Sequence, residues 1–180
     1  MALSQEKRYT VDDIYNLPEG IRAELIDGEM YMMAAPGTRH QEISGFLYAN
    51  IYNYIRAQRG DCKAFPAPFA VFLNSDNKTY VEPDISVICD KSKLDGRGCN
   101  GAPDWVIEIV SPGSRSMDYL KKLVKYMNAG VREYWIVDPE NNRVMVYSFE
   151  KNGDLGIYSF DDEIPVGIYD GELKLRIETE

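Results

Sequence analysis

Trp105-Val106-Ile107-Glu108-Ile109-Val110 runs without a polar break except for one carboxylate, and Ser111-Pro112-Gly113-Ser114 stops it. Such a run predicts a strand buried on both faces in the middle of a sheet. Residues 116–129 then read as a helix with Leu120, Leu123, Val124 and Met127 on its inner face and Gly130 in the C′ position. Glu133 to Val137 is a second strand, so 105–137 forms strand, helix, strand with tight connections, long enough for a parallel crossover. That unit sets the class: a mixed α/β (α+β) domain with a mixed central sheet flanked by helices.

Outward from this unit the elements are local and varied. Thr10 caps a short helix through Tyr15. Ala23–Ile26 and Glu29–Met33 flank Asp27-Gly28, a dipeptide that favours a two-residue type I′ hairpin turn. Ile43, Leu47, Ile51, Tyr54 and Ile55 recur at helical spacing, with a stop near Gly60. Lys63 to Leu73, interrupted by Pro66 and Pro68, predicts a bulged or edge strand, and Val81 to Cys89 a further strand. Asp90 to Pro103 reads as a surface loop. A hairpin strand at 143–149 and weaker strands near 155–160 and 173–177 complete the chain.

The 180 residues, 44 % hydrophobic and 27 % charged, suit one domain over 1–180 and exclude a disordered or fibrous chain. A net charge of -9 argues against a general polyanion coat. The deficit is uneven: residues 91–132 hold 8 basic and 4 acidic groups, whereas 133–180 hold 4 and 12. Cys62, Cys89 and Cys99 form no C-x-x-C pair and are odd in number, which suits a reducing compartment. With an N-terminus lacking a signal-length apolar core and no membrane-span run, the expected location is cytoplasmic. His40 is the lone histidine, so catalytic triads and multi-histidine metal sites would rest on one side chain.

Carboxylates carry the remaining chemistry. Burying ionised Glu108 among Val106, Ile107, Ile109 and Val110 costs several kcal/mol unless a cation compensates it. Asp84 poses the same question within Pro83-Asp84-Ile85-Ser86-Val87-Ile88. Were Glu24 on the hairpin to join them, the three would form the hard oxygen set that Mg²⁺ or Mn²⁺ prefers. For each carboxylate alone, a strand-end position or a buried Lys or Arg partner is the competing reading.

Here the sequence resembles the Uma-type putative restriction endonucleases of the PD-(D/E)XK nuclease superfamily. The resemblance is an ordered series: Arg8-Tyr9-Thr10-Val11, Glu24 to Glu29, Arg39-His40-Gln41, Pro83 to Val87, Gly101 to Asp104 and Val106 to Pro112. It ends with Asp118, Lys122 and Tyr126, then Ala129 to Pro139. It implies a restriction-endonuclease-like core with extra β-hairpins, hydrolysing DNA phosphodiester bonds with a metal-activated water. Asp84, Glu108 and the Ile109 backbone carbonyl would hold Mg²⁺ or Mn²⁺, and Glu24 would be the upstream acid. The superfamily places a lysine two residues after the glutamate, but this chain has Val110 there. By motif match the lysine is Lys122, yet an ideal helical wheel sets Lys122 opposite Leu120 and leaves Lys121 flanking the apolar face as its rival.

Of the neighbours, Asp118 is explained by the helix dipole, Tyr126 by packing or a substrate contact, and His40 by a cap or a phosphate contact. Weak, metal-dependent DNA binding by a basic rim, no membrane partner, and a homodimer for double-strand cutting follow as expectations. Two alternatives stand beside the enzyme: an idle nuclease fold that binds nucleic acid or regulates, and a β-rich interaction domain using its 13 tyrosines.

Overall fold

The apolar run at 105–110 lies at the centre of a six-stranded sheet. In the computed structural model, which describes residues 7–74, 76–150 and 153–178, the chain begins with α1 (Val11–Tyr15), β1 (Ala23–Ile26), β2 (Glu29–Met32) and α2 (Thr38–Ala57). It continues through β3 (Lys63–Pro66), β4 (Val71–Phe72), β5 (Ile85–Ile88), β6 (Cys99–Asn100) and β7 (Trp105–Ile109). A π-helical segment, Met117–Lys122, runs directly into α3 (Leu123–Ala129). The strands β8 (Glu133–Asp138), β9 (Arg143–Ser148), β10 (Asp154–Ser159), β11 (Ile164–Pro165) and β12 (Lys174–Leu175) follow.

The sheet order is β10-β9-β8-β7-β5-β3. Only the β7–β8 pair is parallel, with Glu108 beside Ile136, as the crossover required; the other neighbours are antiparallel. Strand alternation sends Trp105, Ile107 and Ile109 to the face covered by Ile43, Leu47, Ile51 and Ile55 of α2. Val106 and Val110 face the other way, against Tyr126 and its neighbours. Among the described residues no helix is long and apolar enough to cross a membrane. The N-terminal stretch 1–6, part of the targeting reading, lies outside those residues.

The hairpin forms as the sequence predicts: Asp27 and Gly28 both take positive φ, 54° and 80°. β3 is an edge strand, as its prolines suggest. Three expectations need correction. The strand foreseen over Val81–Cys89 is confined to β5, because Pro83 offers no N–H and Val81 bridges separately to Val71. The loop foreseen over 90–103 contains a 3-10 turn at Lys91–Lys93 and β6, which pairs in parallel with β4. The cysteines are not all free: Cys62 and Cys89 form a disulfide, and buried Cys99 remains reduced. The register explains the pair, since Lys63 lies opposite Ile88 and the flanking cysteines therefore face each other.

The larger correction concerns residues 117–129. Three of the four residues foreseen on the inner face are outward, Leu120 being 66 % exposed and Val124 and Met127 about half exposed, while Leu123 packs partly against the core. The inward face is Asp118, Lys122 and Tyr126. A π-helical turn, with i→i+5 hydrogen bonds, breaks the 100° phasing on which the wheel relied. Charge supplies the drive. Partly exposing three apolar side chains forfeits roughly a few kcal/mol, whereas two or three buried carboxylates left without a cation cost several kcal/mol each. Leu120→Ser should therefore change stability by no more than about 0.5 kcal/mol. A loss of ~2 kcal/mol, read from the urea midpoint at constant m-value, would return Leu120 to the core.

Candidate active site

Four elements bring the site together. Strand β7 carries Glu108, which points to the same face as Val106 and Val110 and so toward the helix. The hairpin strand β1 presents Glu24, Asp84 stands immediately before β5, and the π-helical segment supplies Asp118 and Lys122. Ionic clasps fix the hairpin against the helix. Lys125 Nζ lies 2.5 Å from the Asp27 carboxylate, and Lys121 pairs with Glu29 and Tyr31.

Lys122 is the hub. Its Nζ lies 2.9 Å from Glu24 Oε2, 3.0 Å from Glu108 Oε1 and 3.5 Å from Asp118 Oδ1. All four side chains are at most 6 % exposed. Tyr126, also fully buried, donates its hydroxyl to Glu108 Oε1 at 2.6 Å, a hydrogen bond where packing alone was foreseen. Glu24 Oε1 accepts the Glu82 backbone N–H at 3.0 Å, which pins the carboxylate to the chain just before Asp84. Asp84 Oδ2 accepts the Ile109 N–H at 2.7 Å and lies 3.2 Å from His40 Nε2. His40, foreseen as a cap or phosphate contact, is thus turned inward onto Asp84.

The electrostatics follow from burial. Desolvation pushes the Glu108 carboxyl well above the usual range, with Lys122 acting against the rise. Asp118 is raised for the same reason and is likewise opposed by Lys122. Burial by itself would depress Lys122, but Glu108, Glu24 and Asp118 more than offset it and hold the ammonium charged. His40 is also depressed by burial, yet its hydrogen bond and charge interaction with Asp84 bring it above its ordinary value.

Of the residues expected in the site, Glu24, Glu108 and Lys122 are in direct contact, and Asp84 is tied to the main chain of β7 next to Glu108. Lys121 is not among them: it is exposed and spent on the hairpin. Among the described residues, no three of His, Cys, Asp and Glu are grouped so as to hold a metal ion. Glu24 and Glu108 meet at the Lys122 ammonium, and Asp84 meets His40. The donor chemistry nonetheless suits a hard divalent ion. Glu24, Asp84 and Glu108 offer only oxygen donors, and together with Asp118 they outnumber the cations near them, one lysine and one histidine.

The basic segment is less available than its composition suggested. Lys91, Arg97, Arg115, Lys121, Lys122, Lys125 and Arg132 each stand in an ion pair, and Lys93 donates to the Ala102 carbonyl. Asp138 shows how one such pair is built. Its carboxylate is fully buried and accepts from Arg115 at 2.7 Å, Tyr119 at 2.9 Å and Asn141 at 2.8 Å. Burial would raise it, but these donors prevail and lower it to about 2.

Sequence reasoning missed the inward turn of Asp118 and His40 and the hydrogen bond of Tyr126 to Glu108. The available signal was the i, i+4, i+8 spacing of Asp118, Lys122 and Tyr126, a polar stripe at the same period as an apolar one.

Comparison with known proteins bears on the family and the fold. A solved structure described as a putative nuclease belonging to DUF820, from Anabaena variabilis, superimposes with a TM-score of 0.75 and 26 % identity, covering 93 % of this chain and 94 % of that one. An uncharacterized Synechocystis protein, slr1290, is 27 % identical over 133 residues, 73 % of this chain and 68 % of its own. The family model described as Uma2, putative restriction endonuclease, matches residues 11–168. With a match that spans the hairpin, the three α-helices, the central sheet and every side chain of the acidic site, the chain belongs to the Uma2 family of putative restriction endonucleases.

Proposed function

We propose that this protein is a metal-dependent endodeoxyribonuclease using Mg²⁺ or Mn²⁺. The observation that supports the reading most is the buried Lys122 ammonium against Glu24 and Glu108. It supplies from the crossover helix the cation that the superfamily usually takes from the strand, where Val110 stands instead. A divalent ion at Asp84, Glu108, Glu24 and the Ile109 carbonyl would polarise the scissile phosphate and activate water. The chain's own groups do the rest. Lys122 is positioned to donate toward charge developing on the phosphate oxygens. Tyr126 holds Glu108 Oε1 at 2.6 Å and fixes the orientation of that carboxylate. The enclosing walls of Val106, Val110 and Tyr126 lower the local dielectric and strengthen each of these interactions.

DNA is the substrate this reading implies. The paired surface cations make its binding weak and salt-sensitive, and a two-fold dimer would let two sites cut opposite strands. The idle-fold alternative drew its force from the missing strand lysine, and Lys122 weakens it. The tyrosine-surface alternative is weakened because Tyr80, Tyr126 and Tyr134 are buried in the core.

The test is nicking of supercoiled plasmid in Mn²⁺. Wild type should nick, chelator should stop it, and Asp84→Ala should fall by about two orders of magnitude or more. Equal traces from wild type and Asp84→Ala would mean contamination and would end the enzymatic assignment.

A further inference from the structure

The carboxylate at position 118 belongs to the series that resembles the family but has no role in the site that the resemblance implies, yet it is one of the most buried charged groups in the protein. Its side chain is 2 % exposed, and Oδ1 has no hydrogen-bond partner. A first-turn acid serving only the helix dipole would face solvent. This one faces inward, and its nearest cation is Lys122, four residues on along the same helical segment. Lys122 has three N–H donors and three carboxylates around it, at 2.9, 3.0 and 3.5 Å. The two shorter contacts go to Glu24 and Glu108, the residues a divalent ion would recruit. The longest goes to the acid that the helix itself carries.

We propose that Asp118 is the positioning residue for Lys122: it retains the ammonium at the site when a divalent ion draws Glu24 and Glu108 away. The inference rests on the metal-dependent reading above and deepens it. A lysine on a strand is held by the backbone geometry of the sheet, with a short lever to the metal. A lysine on a helix has four flexible methylenes and no such constraint, and without an anchor it would leave for solvent once its two strongest partners are taken. Asp118 moves with Lys122 because both lie on one helical segment, so the i, i+4 contact survives any shift of the helix relative to the sheet. The unpartnered Oδ1 and the long 3.5 Å distance fit an acceptor held in reserve. In the metal-free protein Glu24 and Glu108 dominate; in the loaded protein Asp118 would take over. Tyr126 completes the division by keeping Glu108 Oε1 occupied when the lysine lets go.

The variant is Asp118→Asn, which keeps the shape. Nicking of plasmid in Mn²⁺ should show kcat lower by about 10- to 100-fold with KM little changed. Calorimetric Mn²⁺ affinity should stay within about threefold, because Asp118 is not a ligand. Independently of activity, amine acylation followed by mass spectrometry reads the exposure of Lys122. In wild type Lys122 should resist labelling with and without Mn²⁺; in Asp118→Asn it should resist without Mn²⁺ and label with it. Unchanged kcat, or Lys122 protected in Mn²⁺ in the variant, overturns the proposal, and so does loss of Mn²⁺ binding, which would make Asp118 a ligand. Asp118→Glu, which restores the charge, should recover protection of Lys122. Should the wild type fail to nick DNA at all, the nuclease reading falls while the labelling result still decides the anchor.

Discussion

Replacing Lys122 by methionine is expected to destabilise the protein by about 3–5 kcal/mol, read as a shift in urea midpoint at constant m-value. Methionine preserves most of the side-chain volume, so the loss is electrostatic rather than a cavity. Glu24, Glu108 and Asp118 would then share a buried space without a cation. The deficit should grow with pH. Glu108 already titrates above its unfolded value, so its preference for the protonated folded form is fully present at low pH and is lost as pH rises through the raised folded value. Removing Lys122 raises that value further. The variant should therefore be least impaired near about pH 5 and most impaired near about pH 8. Adding Glu108→Gln should restore part of the stability, because the pair is then replaced rather than broken. A single variant within about 0.5 kcal/mol of wild type across that range would mean the acids are solvated, contrary to their burial.

Breaking the Cys62–Cys89 bond is expected to have an effect of similar size. The bond closes a 27-residue separation, and the loop-closure entropy returned to the unfolded chain amounts to about 3.5 kcal/mol. For a chain of this size that corresponds to a fall in Tm of about 7–14 °C in Cys62→Ser or in reductant. The loop contains Asp84, and the bond joins the ends of β3 and β5, the two outermost strands on that side of the sheet. Thiol titration of the denatured protein gives the complementary check. One reactive thiol without reductant and three with it are expected, from the single free cysteine, Cys99. Three without reductant would remove the bond and this prediction together.

The elements were legible where local physics is decisive. Asp27-Gly28 announces its turn because few other dipeptides tolerate two positive φ values, and 105–110 announces a central strand because nothing else buries both faces. The acids were legible as a cost: Glu108 cannot lie in that strand uncompensated. The identity of the compensating group was not. Periodicity ranks faces by apolarity, and on 117–129 the apolar face lost to charge, a tertiary requirement set by Glu24 some hundred residues earlier. The disulfide escaped for a related reason, since it depends on the β3–β5 register, which pairs residues the sequence keeps apart. His40 was unreadable because its partner, Asp84, belongs to another element.

That the buried acids meet their cation on the helix also changes when they can be neutralised. Translation delivers Glu24, Asp84 and Glu108 in that order, and Lys122 and Tyr126 only afterwards. Until the crossover helix has been made and has docked, Glu24 and Glu108 have no ammonium to meet and favour staying in water. The centre of the molecule therefore closes late, in part by the Glu24–Lys122 contact between residues about a hundred positions apart, and a chain arrested before residue 122 carries Glu24 and Glu108 without the group that joins them.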